Sequence, residues 1–192
     1  MTDFEKPSFF FRLEMEYIKP FILGPRVYRP YVESLDLSGG ERVMDYGCGN
    51  GVCLGYFALA LEQCGTAVGL DSSRYMVEKA KKRLAHFQNV EIVHGDALNA
   101  PFEPATFDLV SMIHVLHDIK APDRAGIIEG LAELLKPGGR MSLLEPTSPR
   151  HGIAPEEIGG LLAGAGLSVT KMIKAGRRVQ VTASKRKNGT AF

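Results

Sequence analysis

The sequence predicts an α/β fold built on one seven-stranded, mostly parallel, doubly wound sheet, with a single antiparallel strand near one edge. Three observations carry this. Past about residue 40, short apolar-rich runs alternate with stretches of helical period, the pattern of a parallel sheet covered on both faces. The last two β-runs, Leu167–Ile173 and Arg178–Ser184, are separated only by Lys174-Ala175-Gly176-Arg177. That link is too short for a helical crossover, so the two form a hairpin and the final strand is reversed. The first strand also runs into its helix through a turn with glycines at alternate positions, Gly47, Gly49 and Gly51.

The other strands are expected at Arg42–Tyr46, Ala67–Asp71, Val90–His94, Phe107–Ile113 and Arg140–Glu145, each apolar enough to be buried on both faces. Between them, Val77, Ala80 and Leu84 share one helix face while Glu78, Lys79, Lys81 and Lys82 point to water. Ile128, Leu131 and Leu135 mark a second helix, stopped by Pro137-Gly138-Gly139. A third opens at Pro155, with Glu156 and Glu157 in the first turn, where the helix dipole favours acids.

Residues 1–40 read differently. Phe9, Phe10, Phe11, Tyr17, Phe21, Tyr28 and Tyr31 crowd between Pro7, Pro20, Pro25 and Pro30. One or two short helices lying across the carboxyl edge of the sheet are expected here, packing into the core and covering a substrate. The chain thus divides into a helical cap (1–40), a ligand-binding domain (41–184) and a solvated tail (185–192) that begins with Lys185-Arg186-Lys187.

Composition narrows the function. The 192 residues are 45 % hydrophobic and 23 % charged, as in globular proteins rather than disordered ones. A net charge of +1 sets up no global field for nucleic acid or anionic membrane. No apolar run reaches the roughly 20 residues of a membrane span, and no signal-peptide pattern is seen. Three cysteines, Cys48, Cys53 and Cys64, show no disulfide or CxxC spacing and read as buried, inert thiols in a reducing cytoplasm.

The segment Asp45-Tyr46-Gly47-Cys48-Gly49-Asn50-Gly51 is the richest in chemistry. Glycines let backbone approach a ligand, and the N–H groups at a helix start favour polar or anionic groups. In open α/β sheets such ligands lie at the carboxyl ends of the strands, where strand order reverses. The spacing is GxGxG, with Val52 where a dinucleotide binder would carry its third small residue. Asp71 ends the second strand about twenty residues on, placed to accept from both hydroxyls of a ribose. Asp96, just past the third strand, is within reach of an adenine amine.

These residues resemble the class I S-adenosylmethionine-dependent methyltransferases along nearly all of 40–184. DYGCGNG at 45–51 is similar to that family's first motif, Asp71 to its ribose acid, Asp96-Ala97 to its adenine contacts. FDLVSMIHVLHDI at 107–119 resembles its fourth-strand motif, and LLKPGGRMSLLEP at 134–146 the segment that follows. The resemblance implies a Rossmann-like sheet in the order 3-2-1-4-5-7-6. It also implies S-adenosyl-L-methionine as cofactor, leaving as S-adenosyl-L-homocysteine. On the same ground Asp45 and Gly47 hold the methionine amine, and Gly49 and Gly51 let backbone pass the cofactor. Asp71 with Ser72 takes the ribose, Met76 flanks adenine, and Asp96, Ala97 and Ile113 complete the cofactor contacts.

The acceptor's chemistry is expected at the end of the fourth strand. The Asn/Asp-Pro-Pro-Tyr of nucleic-acid amine methylases is absent there, so a small-molecule acceptor, no nucleic acid and no stable membrane insertion are expected; a homodimer is left open. The stretch HVLHD at 114–118 resembles that of small-molecule O-methyltransferases, which implies His117 as the general base, with Asp118 orienting it or capping the next helix. No metal is expected. Quinone- or lipid-type C- or N-methylation, or cofactor binding without catalysis, are the alternatives. The short link Thr147–Ala154 leaves residues 1–40 to close the pocket over a partly apolar or aromatic acceptor, against His114–His117.

Overall fold

A computed structural model describes residues 23–61 and 64–187. The aromatic positions Phe9, Phe10, Phe11, Tyr17 and Phe21 of the expected cap lie outside the described residues. Seven strands, numbered along the chain, lie in the order 3-2-1-4-5-7-6 across one sheet, the expected fold. The chain divides into two compact units, Met1–Asp96 and Ala97–Phe192.

In the first unit, a π-helical stretch at 23–28 leads into α1 (Arg29–Glu33). Then follow β1 (Arg42–Tyr46), α2 (Val52–Ala60), β2 (Thr66–Asp71), α3 (Arg74–Leu84) and β3 (Val90–His94). The strands pair in parallel, Tyr46 beside Leu70 and Asp71 beside His94. The core gathers Val43, Met44, Leu54, Phe57, Val68 and Leu70, none exposed at all. On α3 the expected stripe is buried, since Val77, Ala80 and Leu84 recur at the helical period. Tyr31 is buried and meets Phe57 edge-on, with ring centroids 6.4 Å apart, so this aromatic of the expected cap is core.

The second unit holds β4 (Phe107–Ile113), a 3₁₀ turn (Leu116–Asp118), α4 (Ala121–Glu133), β5 (Leu135–Pro146), α5 (Pro155–Gly164), β6 (Leu167–Ala175) and β7 (Arg178–Lys185). β4 and β5 pair in parallel, whereas β7 runs antiparallel to both β5 and β6.

Four expectations are corrected. Pro137-Gly138-Gly139 does not stop a helix, because α4 has already ended at Glu133 and Leu135 opens β5. The register jumps from Phe107 opposite Leu135 to Leu109 opposite Arg140, so 136–139 bulge out of the ladder. Lys136 Nζ anchors that bulge on the Asp108 carboxylate at 2.8 and 2.9 Å. Secondly, β3 is an edge strand and is not buried on both faces; at the other edge, all of β6 after Leu167 is exposed. Thirdly, Cys64 is exposed. Lastly, Lys185 is no tail residue: its ammonium reaches the carbonyls of Ala132 (2.8 Å) and Leu135 (2.9 Å) where α4 gives way to β5.

Candidate active site

In the first unit the turn from β1 to α2 is built from backbone. Gly47, Gly49 and Gly51 have φ of 70°, 54° and 81°, left-handed values that cost a residue with a Cβ roughly 1–2 kcal/mol each. Alternate left-handed positions are the physical reason for alternate glycines. The N–H groups of Gly47 and Cys48 donate to the Leu70 carbonyl at 2.7 and 3.3 Å, and Gly51 N–H donates to Cys48 at 3.0 Å. A Cβ on Gly51 would lie 3.0 Å from Leu84 and 3.1 Å from Ala80, so α3 is packed directly on the turn. From the same helix Arg83 Nε donates to the Asn50 carbonyl at 2.9 Å.

Asp71 closes the turn from β2. One carboxylate oxygen accepts from Gly49 N–H (2.8 Å) and the other from Ser73 N–H (2.9 Å). Ser72 is exposed, and its carbonyl lies 3.0 Å from His94 Nε2. Ser73 caps α3 by accepting from Met76 N–H at 3.3 Å, which places Met76 in the first turn with its side chain only 2 % exposed. Asp96 is half-buried at the end of the unit.

Asp45 lies under this turn, 2 % exposed. Burial, and then the neighbouring Asp71 charge, push its carboxyl up to about 8. Two acids thus converge beneath the turn. A ligand presenting an ammonium and a ribose suits that donor set, the ammonium for Asp45 and the hydroxyls for the lone pairs remaining on Asp71. Burial and then Asp45 raise the Cys48 and Cys53 thiols, with Asp71 adding to the effect on Cys48, which leaves them inert.

In the second unit β4 ends at Ile113, which is 9 % exposed, and Ala97 is buried at 6 %. His114 follows with φ of 55°, a left-handed conformation that favours glycine, and its N–H is held by the Leu144 carbonyl at 2.9 Å. The chain then turns into the 3₁₀ segment that carries His117. Its Nδ1 lies 2.7 Å from Glu145 Oε2. Glu145 is fully buried, and its other oxygen accepts from the N–H groups of Val115 (2.9 Å) and Leu116 (2.8 Å).

With one oxygen committed to backbone donors, the Glu145 carboxylate accepts a hydrogen bond from Nδ1–H through the other, which leaves Nε2 with the lone pair. The hydrogen bond to Glu145 raises the His117 imidazole above its ordinary range, although burial pulls the other way. The rings of His114 and His117 stand edge to face, 6.5 Å apart. Arg124 fixes the turn from beneath, donating to the carbonyls of Ile119 (3.0 Å) and His117 (3.4 Å) and pairing with Glu157 on α5 at 2.6 Å.

Asp118, the acid expected to orient His117, does not. It is 61 % exposed, its nearer oxygen lies 3.7 Å from Nε2, and the N-cap of α4 is Lys120. Glu145 takes that place. It sits inside LLKPGGRMSLLEP, and the available signal was positional: an acid ends the strand expected beside the fourth. Ile113 pairs with Leu144, which sets Glu145 one step further along the rim. Among the described residues no group of three His, Cys, Asp or Glu is arranged to hold a metal.

The strand order, the glycine turn and its closing acid define the class I S-adenosylmethionine-dependent methyltransferase fold. The chain belongs to the methyltransferase-domain family, whose model matches residues 43–139. Over 125 residues it is 33 % identical to a demethylmenaquinone methyltransferase of Staphylococcus epidermidis, an alignment covering 65 % of this chain and 51 % of that protein. The chain spans a third to about half the length of the curated relatives it matches. Among solved structures it resembles an Aquifex aeolicus SAM-dependent methyltransferase, with TM-score 0.73, 23 % identity and coverage of 84 % and 91 % of the two chains. An O-methyltransferase family protein from Burkholderia thailandensis matches with TM-score 0.71, 22 % identity and coverage of 93 % and 63 %. These two likenesses bear on the fold.

Proposed function

We propose that this protein methylates a small, partly apolar or aromatic acceptor through an acidic hydroxyl, with His117 as general base. The observation that carries the reading is the His117–Glu145 pair. S-adenosylmethionine, when bound, supplies an electrophilic methyl group on a sulfonium. Asp45 with the Gly47 backbone would hold its amine, Asp71 with Ser72 its ribose, and Asp96, Ala97, Met76 and Ile113 its base. Asp45 then ionises, because the incoming ammonium stabilises the carboxylate.

The chain's own chemistry is the removal of a proton. His117 Nε2 takes it from the acceptor hydroxyl, and the positive charge that develops on the imidazole is met by the Glu145 carboxylate 2.7 Å away. Because backbone N–H groups of the same turn grip Glu145, the base and its counter-ion are fixed together. A phenol or hydroquinone deprotonated in this way is nucleophilic at oxygen and at ring carbons beside it. One base therefore serves O- or C-methylation, and the name of the staphylococcal relative favours a quinol-type ring.

Incubation with S-adenosylmethionine and a panel of phenols, catechols and naphthohydroquinones, followed by assay of S-adenosylhomocysteine and mass analysis of the product, tests the reading. Turnover of at least one hydroxylated ring that His117→Ala loses is expected. Binding of cofactor without turnover of any member, or turnover indifferent to His117, would defeat it.

A further inference from the structure

The balanced net charge hides a segregation. Between Leu167 and Lys187 the chain carries seven Lys or Arg and no acid, leaving 16 basic residues against 22 acids elsewhere. Lys185 is spent inside the fold on the carbonyls at the end of α4. Lys171 and Lys174 on β6, Arg177 in the turn that follows and Arg178 at the start of β7 are all exposed. Lys174 Nζ lies 3.9 Å from Glu156, which is itself exposed.

Lysines and a bulge, such as the one between Val169 and Lys171, ordinarily protect an edge strand from pairing with another chain. That task does not call for the side chains between them. Val169, Met172 and Ile173 are 42 %, 43 % and 39 % exposed, three of the five large apolar side chains exposed among the described residues.

Register shows where this surface lies. Antiparallel pairing sets Val179 opposite Glu145 and Arg178 opposite Pro146, so the β6–β7 turn is level with the rim that bears the His117–Glu145 pair. Thr147 N–H donates to the Arg177 carbonyl at 2.8 Å, joining the turn to a loop whose Arg150 and His151 are also exposed.

We propose that the β6–β7 hairpin, with Arg150 and His151 beside it, is a peripheral docking surface for an anionic phospholipid bilayer. Met172 and Ile173 project from opposite faces of this edge strand, so the hairpin meets the bilayer edge-on, its cations at the headgroup charge and both apolar side chains in the headgroup–acyl boundary. Nucleic acid would answer to the charge alone and would find no use for the exposed Met and Ile. Docking holds the His117 rim at the interface, from which an apolar acceptor is drawn. The inference is independent of which molecule is methylated, since lipid binding is read without turnover.

Sedimentation of the full chain with vesicles decides it, using phosphatidylcholine alone and phosphatidylcholine with about 30 % phosphatidylglycerol, at about 0.1 M and about 0.5 M NaCl. Binding at least about tenfold tighter to the anionic vesicles, weakened by salt, is expected. The Lys171→Glu/Lys174→Glu/Arg177→Glu variant should lose it, although it keeps charge on the exposed edge and so stays protected against strand pairing. The Met172→Ser/Ile173→Ser variant should weaken it about tenfold with the salt dependence unchanged. No binding, equal binding to both vesicles, retention in the charge-reversed variant, or tighter binding to a duplex DNA than to vesicles would each overturn the proposal. Should a variant fail to fold, the lipid and salt dependence of the native protein decides by itself.

Discussion

The glycine turn of the first unit and the histidine turn of the second solve similar problems by different means. At the glycine turn the positions are set by backbone: three left-handed glycines and N–H groups aimed at Leu70 and Asp71. At the histidine turn they are set by side chains reaching between segments, with His117 and Glu145 separated by 28 residues of chain. A backbone site tolerates little change but writes itself consecutively in the sequence. A side-chain site is free in its spelling and exists only once two strands are in register. The first should therefore govern affinity, and the second rate and pH dependence.

The largest expected effect separates them. His117→Ala should lower kcat by about 10²–10⁴-fold, while the Kd for S-adenosylhomocysteine measured by calorimetry stays within about twofold. A parallel loss of cofactor affinity would erase the distinction.

Glu145→Gln should be milder in rate but diagnostic in pH. The base works neutral, so activity is lost as pH falls through its pKa. Glu145 holds that pKa above the ordinary value of about 6.5. Removing the charge should move the acid limb of kcat to lower pH and reduce the plateau about 10- to 100-fold. A limb that stays in place would mean that His117 is not the titrating group.

Next comes Asp71→Ala, which removes the acceptor for two hydroxyls at a cost of roughly 1–3 kcal/mol. Cofactor-product affinity should fall about tenfold or more, and the pH limb should not move. An unchanged Kd in the folded variant would undo the ribose assignment.

Asp45 offers a subtler check. With its carboxyl raised to about 8, it is protonated at neutral pH. A bound ammonium favours the charged form, so binding should release up to about one proton and tighten from pH 6 to 8. Calorimetry in buffers of different ionisation enthalpy reads this directly, and buffer-independent heats would contradict it. Folding carries the opposite sign. Protonated Asp45 supports the ligand-free fold at low pH, and that support fades as pH rises from about 4 through about 8. Asp45→Asn should therefore melt higher than the native chain at alkaline pH.

The smallest effect is purely structural. Gly51→Ala combines a left-handed φ with the Leu84 and Ala80 contacts and should cost about 1–3 kcal/mol of stability, read as a lower denaturant midpoint.

How far the sequence foretold all this follows the same division. Arg42–Tyr46, Val90–His94 and Phe107–Ile113 form strands with the bounds expected for them, because apolar runs there meet glycines, acids and turn residues abruptly. The hairpin also follows from its linker length, and the strand order from the family resemblance. What escaped depends on a partner. Leu135 looks like one more helical position until Phe107 pairs with it. The exposure of β3 and β6 comes from their place at the two edges, which no local run of residues encodes. Glu145 was a residue at a strand's end until Ile113 and Leu144 came into register.

The order β5-β7-β6 carries a consequence for how the chain is made. The strand synthesised last of the seven is not at the margin but is threaded between two made before it. Until Arg178–Lys185 emerges from the ribosome, β5 has one ladder unfilled and β6 has no neighbour. Nor does the junction of α4 and β5 have the ammonium that gathers its carbonyls. A nascent chain halted at Gly176 would hold an open, apolar edge in the middle of its sheet, a template for pairing with other chains. Completion of this half of the sheet therefore waits for its last strand to emerge. Shortening the chain by its last fifteen or so residues should send it into aggregates rather than into a smaller version of the same fold.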